Sequence, residues 1–139
     1  MRSIVLSILL TGVVHASDIE ARVKNGYADS NGVKIRYTIE GKGEPVLLIH
    51  GWPDSGYLWR HQVPFLAGHG FRVIVPDMRG LGRSDRPPEV ADYALAKVIG
   101  DVAAVLDAAG VEAATHDVRV RQVGNGAHRL GLDARLRVR

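Results

Sequence analysis

The sequence predicts an α/β protein with a mostly parallel sheet, and three segments support this fold class. Residues 46–49 are four consecutive apolar residues, and the turn formers Gly51 and Pro53 follow almost at once. A short apolar run bounded by turn residues is typical of a strand buried on both faces, as in a parallel sheet. Residues 33–39 alternate apolar and polar side chains before it, and residues 93–109 carry apolar side chains at helical spacing after it.

The composition is that of a globular domain with a basic tail. The chain has 139 residues, of which 46% are hydrophobic and 24% charged, and this suits one domain with a usable core. It contains no cysteine, so disulfide bonds are excluded. The net charge is +3, but residues 115–139 alone hold six arginines and two aspartates, so the preceding residues sum to −1. The basic balance therefore says little about partners of the globular part.

The first 16 residues resemble a secretory signal peptide. Arg2 gives a positive start, residues 4–14 are almost wholly apolar, and Val14 and Ala16 fit the positions before a cleavage site. The apolar run is too short to cross a bilayer as a helix. We therefore expect residues 1–16 to be removed and the protein to be secreted or periplasmic. If these residues form a buried strand instead, the protein is cytoplasmic.

Turn residues divide the rest of the chain into short elements. Asn31-Gly32 predicts a tight hairpin between strands at residues 23–29 and 33–39. After the central strand, the pattern predicts a helix over residues 55–66 and a second buried strand over residues 71–75.

The clearest helix is predicted over residues 93–109. Asp92 fits its N-cap and Gly110 its end. Its apolar stripe, which an amphipathic helix turns towards the core, consists of Leu95, Val98, Ile99, Val102, Val105 and Leu106.

The loop after the central strand reads His50-Gly51-Trp52-Pro53. It resembles the His-Gly-x-Pro motif of α/β-hydrolases, above all the epoxide hydrolases and haloalkane dehalogenases. The resemblance implies half of an oxyanion hole with the Trp52 backbone N–H as a donor, a cis peptide bond before Pro53, and a shaping role for His50, Gly51 and Pro53. An oxygen that gains negative charge needs donors already aimed at it. Taken alone, the four residues fit a strand-ending turn without chemistry equally well.

A second motif occupies residues 77–85, Asp-Met-Arg-Gly-Leu-Gly-Arg-Ser-Asp. It resembles the Asp-x-Arg-Gly-x-Gly-x-Ser-Asp loop of the same family, in which these residues mainly support the oxyanion loop. The resemblance assigns structural support to Asp77, Arg79, Gly80, Gly82 and Ser84. A phosphate-binding loop is the alternative, but neither Gly-Lys-Ser/Thr nor Gly-x-Gly-x-x-Gly follows a strand here.

Both motifs occur in the family's order, so the resemblance implies the amino-terminal part of an α/β-hydrolase fold, an incomplete, mostly parallel sheet with flanking helices. We assign residues 17–112 to this domain. The family's next strand, which ends at a nucleophile elbow, is not recognisable after Gly110. No apolar strand precedes His116-Asp117 and no glycine flanks it, so Asp117 is a poor candidate and no nucleophile is assigned.

Residues 113–139 are rich in arginine and lack a continuous apolar run, so we interpret them as an out-of-frame or disordered tail. Without an elbow strand beside them, residues 46–49 should form an exposed sheet edge, which natural proteins avoid. Arginines alternate with valines over residues 118–121, and pairing them there would press charged groups against a covered face.

The resemblance implies a hydrolase most like epoxide hydrolases, in which an Asp carboxylate opens an epoxide to an ester and a His-activated water releases the diol. This chain, lacking a recognisable nucleophile and catalytic histidine, is expected to be an inactive fragment. Two alternatives stay open: a serine-dependent esterase or perhydrolase of the same fold, and a non-catalytic protein whose basic tail binds an acidic partner. We expect a small-molecule substrate, epoxide or ester, and no cofactor, metal, nucleic-acid partner or membrane span. The sequence leaves the oligomeric state open.

Overall fold

The computed structural model describes residues 23–111 and the backbone of two further strands, Asp117–Gln122 and Leu132–Arg137. Residues 1–16, interpreted above as a signal peptide, lie outside the described residues. Within the described ranges, no helix is both long and apolar enough to cross a membrane.

The described strands form one mixed sheet in the order β1-β2-β4-β3-β5-β6. β3 is parallel to both β4 and β5, whereas the pairs β1–β2, β2–β4 and β5–β6 are antiparallel. The mostly parallel arrangement predicted from the sequence therefore holds only for the centre of the sheet. The strands are β1 Lys24–Ser30, β2 Val33–Glu40, β3 Glu44–Ile49, β4 Phe71–Pro76, β5 Asp117–Gln122 and β6 Leu132–Arg137.

A two-residue turn sets the register of β1 and β2. Asn31 and Gly32 have φ angles of 52° and 85°, and positive φ at both positions is what a tight hairpin turn of this type requires. The Asp29 carboxylate accepts a hydrogen bond from the Gly32 backbone N–H at 3.0 Å. Ser30 consequently faces Val33 in the ladder, and the hairpin predicted from Asn-Gly is confirmed.

β3 is buried on both faces, as its apolar run predicts. Leu47 belongs to a core cluster that includes Ile74 and Leu106. Val46 and Leu48, which alternate with Leu47 and so point to the opposite face, belong to a second cluster completed by Trp59, Val63, Val73 and Val75. The strand that carries the first motif loop is therefore held between two cores.

β5 corrects two of our expectations. Val46 pairs with Arg119 and Ile49 with Gln122, so β3 is not a sheet edge. This pairing satisfies backbone N–H and C=O groups that an edge strand would leave open. The described parts of residues 113–139 are likewise strands rather than disordered chain. The interpretation of this region as out-of-frame sequence stays a prediction.

The helix predicted over residues 55–66 is two shorter elements, a 3-10 helix Gly56–Trp59 and the α-helix α1, Gln62–Gly68. Pro64 explains the break. Proline lacks an N–H, and its ring clashes with the carbonyl four residues earlier, so it is tolerated only in the first turn of an α-helix. A helix that began at residue 55 would place Pro64 in its interior, whereas α1 begins two residues before it.

The second α-helix, α2, spans Leu95–Ala108 and follows a 3-10 helix, Val90–Tyr93. The predicted N-cap is wrong, because Ala94 occupies that position and makes no side-chain capping bond. Asp92 lies in the preceding 3-10 helix, where its carboxylate accepts a hydrogen bond from Lys97 Nζ at 2.5 Å. This interaction lowers the pKa of Asp92 below its ordinary value.

The apolar stripe of α2 is only partly buried, which differs from the predicted amphipathic pattern. Val105 and Leu106 are buried, but Leu95 and Ile99 are 74% and 60% exposed. The buried face of the helix instead includes a charged residue, Asp101.

Two glycines offer a test of how closely the turn before β3 packs on β4. Gly41 and Gly70 have φ angles of 82° and 84°. A Cβ on Gly41 would lie 2.2 Å from the Phe71 carbonyl oxygen, whereas nothing lies within 4 Å of one on Gly70. We expect Gly70→Ala to lower the free energy of unfolding by about 1 kcal/mol through backbone strain, and Gly41→Ala to lower it by about 2 kcal/mol more because the backbone must move.

Urea unfolding followed by tryptophan fluorescence measures both effects, and Gly70→Ala is the control for φ alone. Equal destabilisation by the two substitutions would contradict the close approach of this turn to β4.

Candidate active site

His50 follows β3 and links the first motif loop to the second. Its side chain is buried, and its Nε2 accepts a hydrogen bond from the Met78 backbone N–H at 3.0 Å. An amide N–H can only donate, so the ring hydrogen is assigned to Nδ1. Nδ1 lies 3.0 Å from the Gly51 carbonyl oxygen and donates to it. Both ring nitrogens are therefore occupied by backbone groups, which makes His50 a bridge between the loops.

The turn that follows His50 includes a backbone donor, the Trp52 N–H, that has no acceptor among the described residues. The Gly51 carbonyl also accepts a hydrogen bond from the Asp54 N–H at 2.9 Å, which closes the turn. The Trp52–Pro53 peptide bond is cis, as the resemblance implied. The Trp52 indole is 69% exposed. Among the described residues, the Trp52 backbone N–H has no hydrogen-bond partner.

Asp77 holds the far end of the same loop. Its Oδ1 accepts a hydrogen bond from the Gly56 backbone N–H at 2.7 Å. Its Oδ2 accepts one from the Arg83 N–H at 3.0 Å and lies 3.4 Å from Nη1 of Arg36. The carboxylate is almost fully buried, and charge-assisted bonds of this kind are stronger than neutral ones. The 50–56 loop is thus fixed at His50 and again at Gly56.

The glycines of the second motif make room for these contacts. Gly82 has a φ of 53°, and a Cβ there would lie 2.4 Å from Cγ of Asp77. Gly80 has a φ of 80°, and a Cβ there would lie 2.7 Å from the Tyr93 ring. A side chain at either position would displace a neighbour that the loop needs.

Ser84 ties the second motif loop to β2. Its hydroxyl donates to the Asp77 carbonyl oxygen at 2.5 Å and accepts from the Arg36 backbone N–H at 2.9 Å. Asp85 Oδ2 accepts a further bond, at 2.7 Å, from the backbone N–H of Lys34. The 77–85 loop therefore lies along β2 and is bonded to the backbone of that strand.

Arg79 ties the same loop to α2 through a buried ion pair. Its Nε and Nη2 donate to Asp101 Oδ2 and Oδ1 at 2.6 and 2.5 Å. Its Nη1 donates to the Asp92 carbonyl oxygen, and its Nη2 also reaches the Lys97 carbonyl oxygen at 3.5 Å. The bond to Asp101 is the main cause that raises the pKa of Arg79 above its ordinary value. Because carboxylate and carbonyl oxygens occupy this guanidinium, the alternative of a phosphate site built on Arg79 is disfavoured.

Sequence reasoning missed Asp101. The available signal was a carboxylate within the apolar stripe of a helix, a position where a charge is rarely buried unless it is paired. Its partner, Arg79, is 22 residues away in the chain, so local pattern could not identify the pair.

The site lies at the carboxyl end of β3, and Asp117 lies elsewhere. β5 runs parallel to β3, with Val46 opposite Arg119 and Ile49 opposite Gln122. Asp117 is therefore at the amino end of β5, whereas the 50–56 loop lies at the carboxyl end of the neighbouring strand β3. In the described part of the chain, no group of three or more His, Cys, Asp or Glu side chains is placed to hold a metal ion.

The chain is similar in sequence to known epoxide hydrolases. The chain is 39% identical over 114 residues to an epoxide hydrolase of Caballeronia sordidicola, an overlap that covers 80% of this chain and 35% of that protein. It is 48% identical over 73 residues to epoxide hydrolase B of Mycobacterium tuberculosis, which covers 52% of this chain and 20% of the relative. The chain thus spans about a third or less of the length of these curated relatives.

The chain is also similar to solved structures of an epoxide hydrolase and a haloalkane dehalogenase. An epoxide hydrolase from Vigna radiata superposes with a TM-score of 0.65 and 30% identity, covering 73% of this chain and 31% of that one. The haloalkane dehalogenase DatA from Agrobacterium tumefaciens superposes with a TM-score of 0.62 and 32% identity, covering 76% and 34%. A family model described as the alpha/beta hydrolase fold matches residues 44–115, more than half of the chain. The chain therefore belongs to the α/β-hydrolase fold family.

Proposed function

We propose that this chain provides the oxyanion-binding part of an epoxide hydrolase-like active site, with the Trp52 backbone N–H as the donor. The observation that carries the proposal is a donor without a described acceptor, in a loop fixed at both ends and located at the carboxyl end of β3. In open α/β sheets, ligands bind at the carboxyl ends of the strands.

Fixed ends matter because catalysis by such a donor depends on preorganisation. A donor that already points at the developing charge needs no reorganisation during the reaction, and removing one costs about 100- to 1,000-fold in kcat. In the proposed reaction, an Asp carboxylate opens the epoxide to an ester, and water attacks that ester through a tetrahedral oxyanion. The Trp52 N–H would bind this oxyanion. We assign neither the nucleophile nor the histidine that activates water to a described residue.

An epoxide is the proposed substrate class because the curated relatives reported above are named epoxide hydrolases. An ester is the alternative, since an oxyanion loop serves ester hydrolysis equally well. Turnover of a small-molecule substrate, whether an epoxide or an ester, would distinguish a hydrolase from a non-catalytic protein with a basic tail.

A chimera tests the proposal. Residues 44–111 would replace the corresponding segment of the Mycobacterium tuberculosis epoxide hydrolase B, which is 48% identical to this chain over 73 residues. We expect the chimera to hydrolyse a chromogenic epoxide. Trp52→Phe should keep most of this activity because the backbone donor survives, whereas Trp52→Pro, which removes the N–H, should lower kcat about 100- to 1,000-fold.

Melting temperatures of the chimeras check that the proline variant is folded, and a p-nitrophenyl ester separates the two substrate classes. The 139-residue chain alone is the blank, since we expect it to show no turnover. Equal activity of the folded Pro and Phe variants would contradict the assignment of the Trp52 N–H, and turnover by the chain alone that Asp117→Ala abolishes would contradict the position assigned to the active site.

We further propose that residues 1–16 are a signal peptide and that the protein is exported. The support is the basic start at Arg2 and the apolar run at residues 4–14. Mass spectrometry of protein from the periplasm of a bacterial host should find a chain that begins at Ser17. Leu9→Arg, which interrupts the apolar run, should leave the precursor in the cytoplasm. Exported protein that retains Met1 would show the proposal to be wrong.

A further inference from the structure

We propose that Asp101 is a positioning residue for the oxyanion loop, which it controls through Arg79, Met78 and His50. This inference rests on the function proposed above and extends it to a residue on α2 that does not contact the 50–56 loop. The structural feature is a continuous series of contacts from the buried carboxylate to the turn that presents the Trp52 N–H.

The first step is the pairing of two buried charges. The side chains of Arg79 and Asp101 are 4% and 1% exposed, and the guanidinium binds the carboxylate through two parallel hydrogen bonds. A bidentate Arg–carboxylate pair fixes orientation as well as distance. Because the carbonyl oxygens of Asp92 and Lys97 also accept from Arg79, the guanidinium is fixed against α2 and the 3-10 helix that precedes it.

The second step joins Arg79 to His50. Arg79 follows Met78 directly in the chain, so only the φ and ψ rotations of Met78 separate Arg79 from the Asp77–Met78 peptide unit that carries the Met78 N–H. The Met78 N–H donates to His50 Nε2 at 3.0 Å. This bond requires Nε2 to be the unprotonated ring nitrogen, and it therefore favours the tautomer in which Nδ1–H donates to Gly51.

The last step is the effect of removing the carboxylate. Arg79 lines a cleft of about 280 Å³ together with Asn31, Asp92 and Lys97. A buried guanidinium that has lost its partner is strongly disfavoured, and this cleft gives it a path to water. We expect the side chain to turn into the cleft and to draw the Met78 N–H away from His50, so that the His50 tautomer is no longer selected.

The ¹⁵N NMR spectrum of the His50 imidazole in the 139-residue chain measures this effect without any need for turnover. The native chain should show predominantly the Nδ1–H tautomer. Asp101→Asn keeps the shape of the side chain but removes its charge and one acceptor, and we expect the ratio of Nδ1–H to Nε2–H tautomers to fall about tenfold, the equivalent of one lost hydrogen bond. Asp107→Asn, an exposed carboxylate on the same helix, is the matched control and should leave the ratio unchanged.

Arg79→Lys keeps the positive charge but cannot form the bidentate pair, so it provides a second, milder variant if Asp101→Asn does not fold. The double variant Arg79→Met, Asp101→Leu separates positioning from stability. It should melt at a higher temperature than Asp101→Leu alone, because no unpaired charge is buried, and yet its tautomer ratio should stay altered.

An unchanged tautomer ratio in a folded Asp101→Asn or Arg79→Lys chain would overturn the proposal, as would recovery of both stability and the native ratio in the double variant. A chimera that fails to hydrolyse epoxides while the His50 spectrum responds as expected would reject the proposed function and leave the positioning role intact.

Discussion

The hydrogen bond from the Met78 N–H to His50 Nε2 is the constraint on which the site depends. Because an amide can only donate, this bond determines which ring nitrogen carries the hydrogen and so directs Nδ1–H to the Gly51 carbonyl. The turn that follows then presents the Trp52 backbone N–H with no acceptor among the described residues. The bond between the two loops thus orients the buried His50 imidazole, and the imidazole in turn holds the start of the turn that carries the Trp52 N–H.

The second loop can position the first because its own polar groups are buried and paired. Asp77, Ser84 and Arg79 each hold it to a different element, namely the 3-10 helix after the first loop, β2 and α2. Leaving a buried polar group unpaired costs about 1–3 kcal/mol, and leaving a buried charge unpaired costs about 3–5 kcal/mol. Such penalties are comparable with the net stability of a domain, so the loop has little freedom to move without unfolding.

Local patterns predicted the parts of the fold that depend on local physics. The Asn31-Gly32 turn and the strand ending at Ile49 follow from backbone preference and from an uninterrupted apolar run, and the structure confirms both. The prediction of a single helix over residues 55–66 was wrong, because the restriction that Pro64 places on a helix interior outweighed the helical spacing of the apolar residues. Asp101 and the strand β5 could not be predicted, because each is determined by a partner distant in sequence, Arg79 for the first and the open side of β3 for the second. The two motif loops were recognisable, but the direction in which each side chain points was not.

Amide hydrogen exchange in the 139-residue chain tests the central claim most directly, namely that a loop fixed at both ends presents the Trp52 N–H as a donor with no acceptor among the described residues. The account predicts that the Met78 and Gly56 amides, which are bonded to His50 and Asp77, exchange slowly, while the Trp52 amide between those anchors exchanges at nearly the rate of an unstructured peptide. Rapid exchange at Met78 and Gly56, or strong protection of the Trp52 amide, would contradict it.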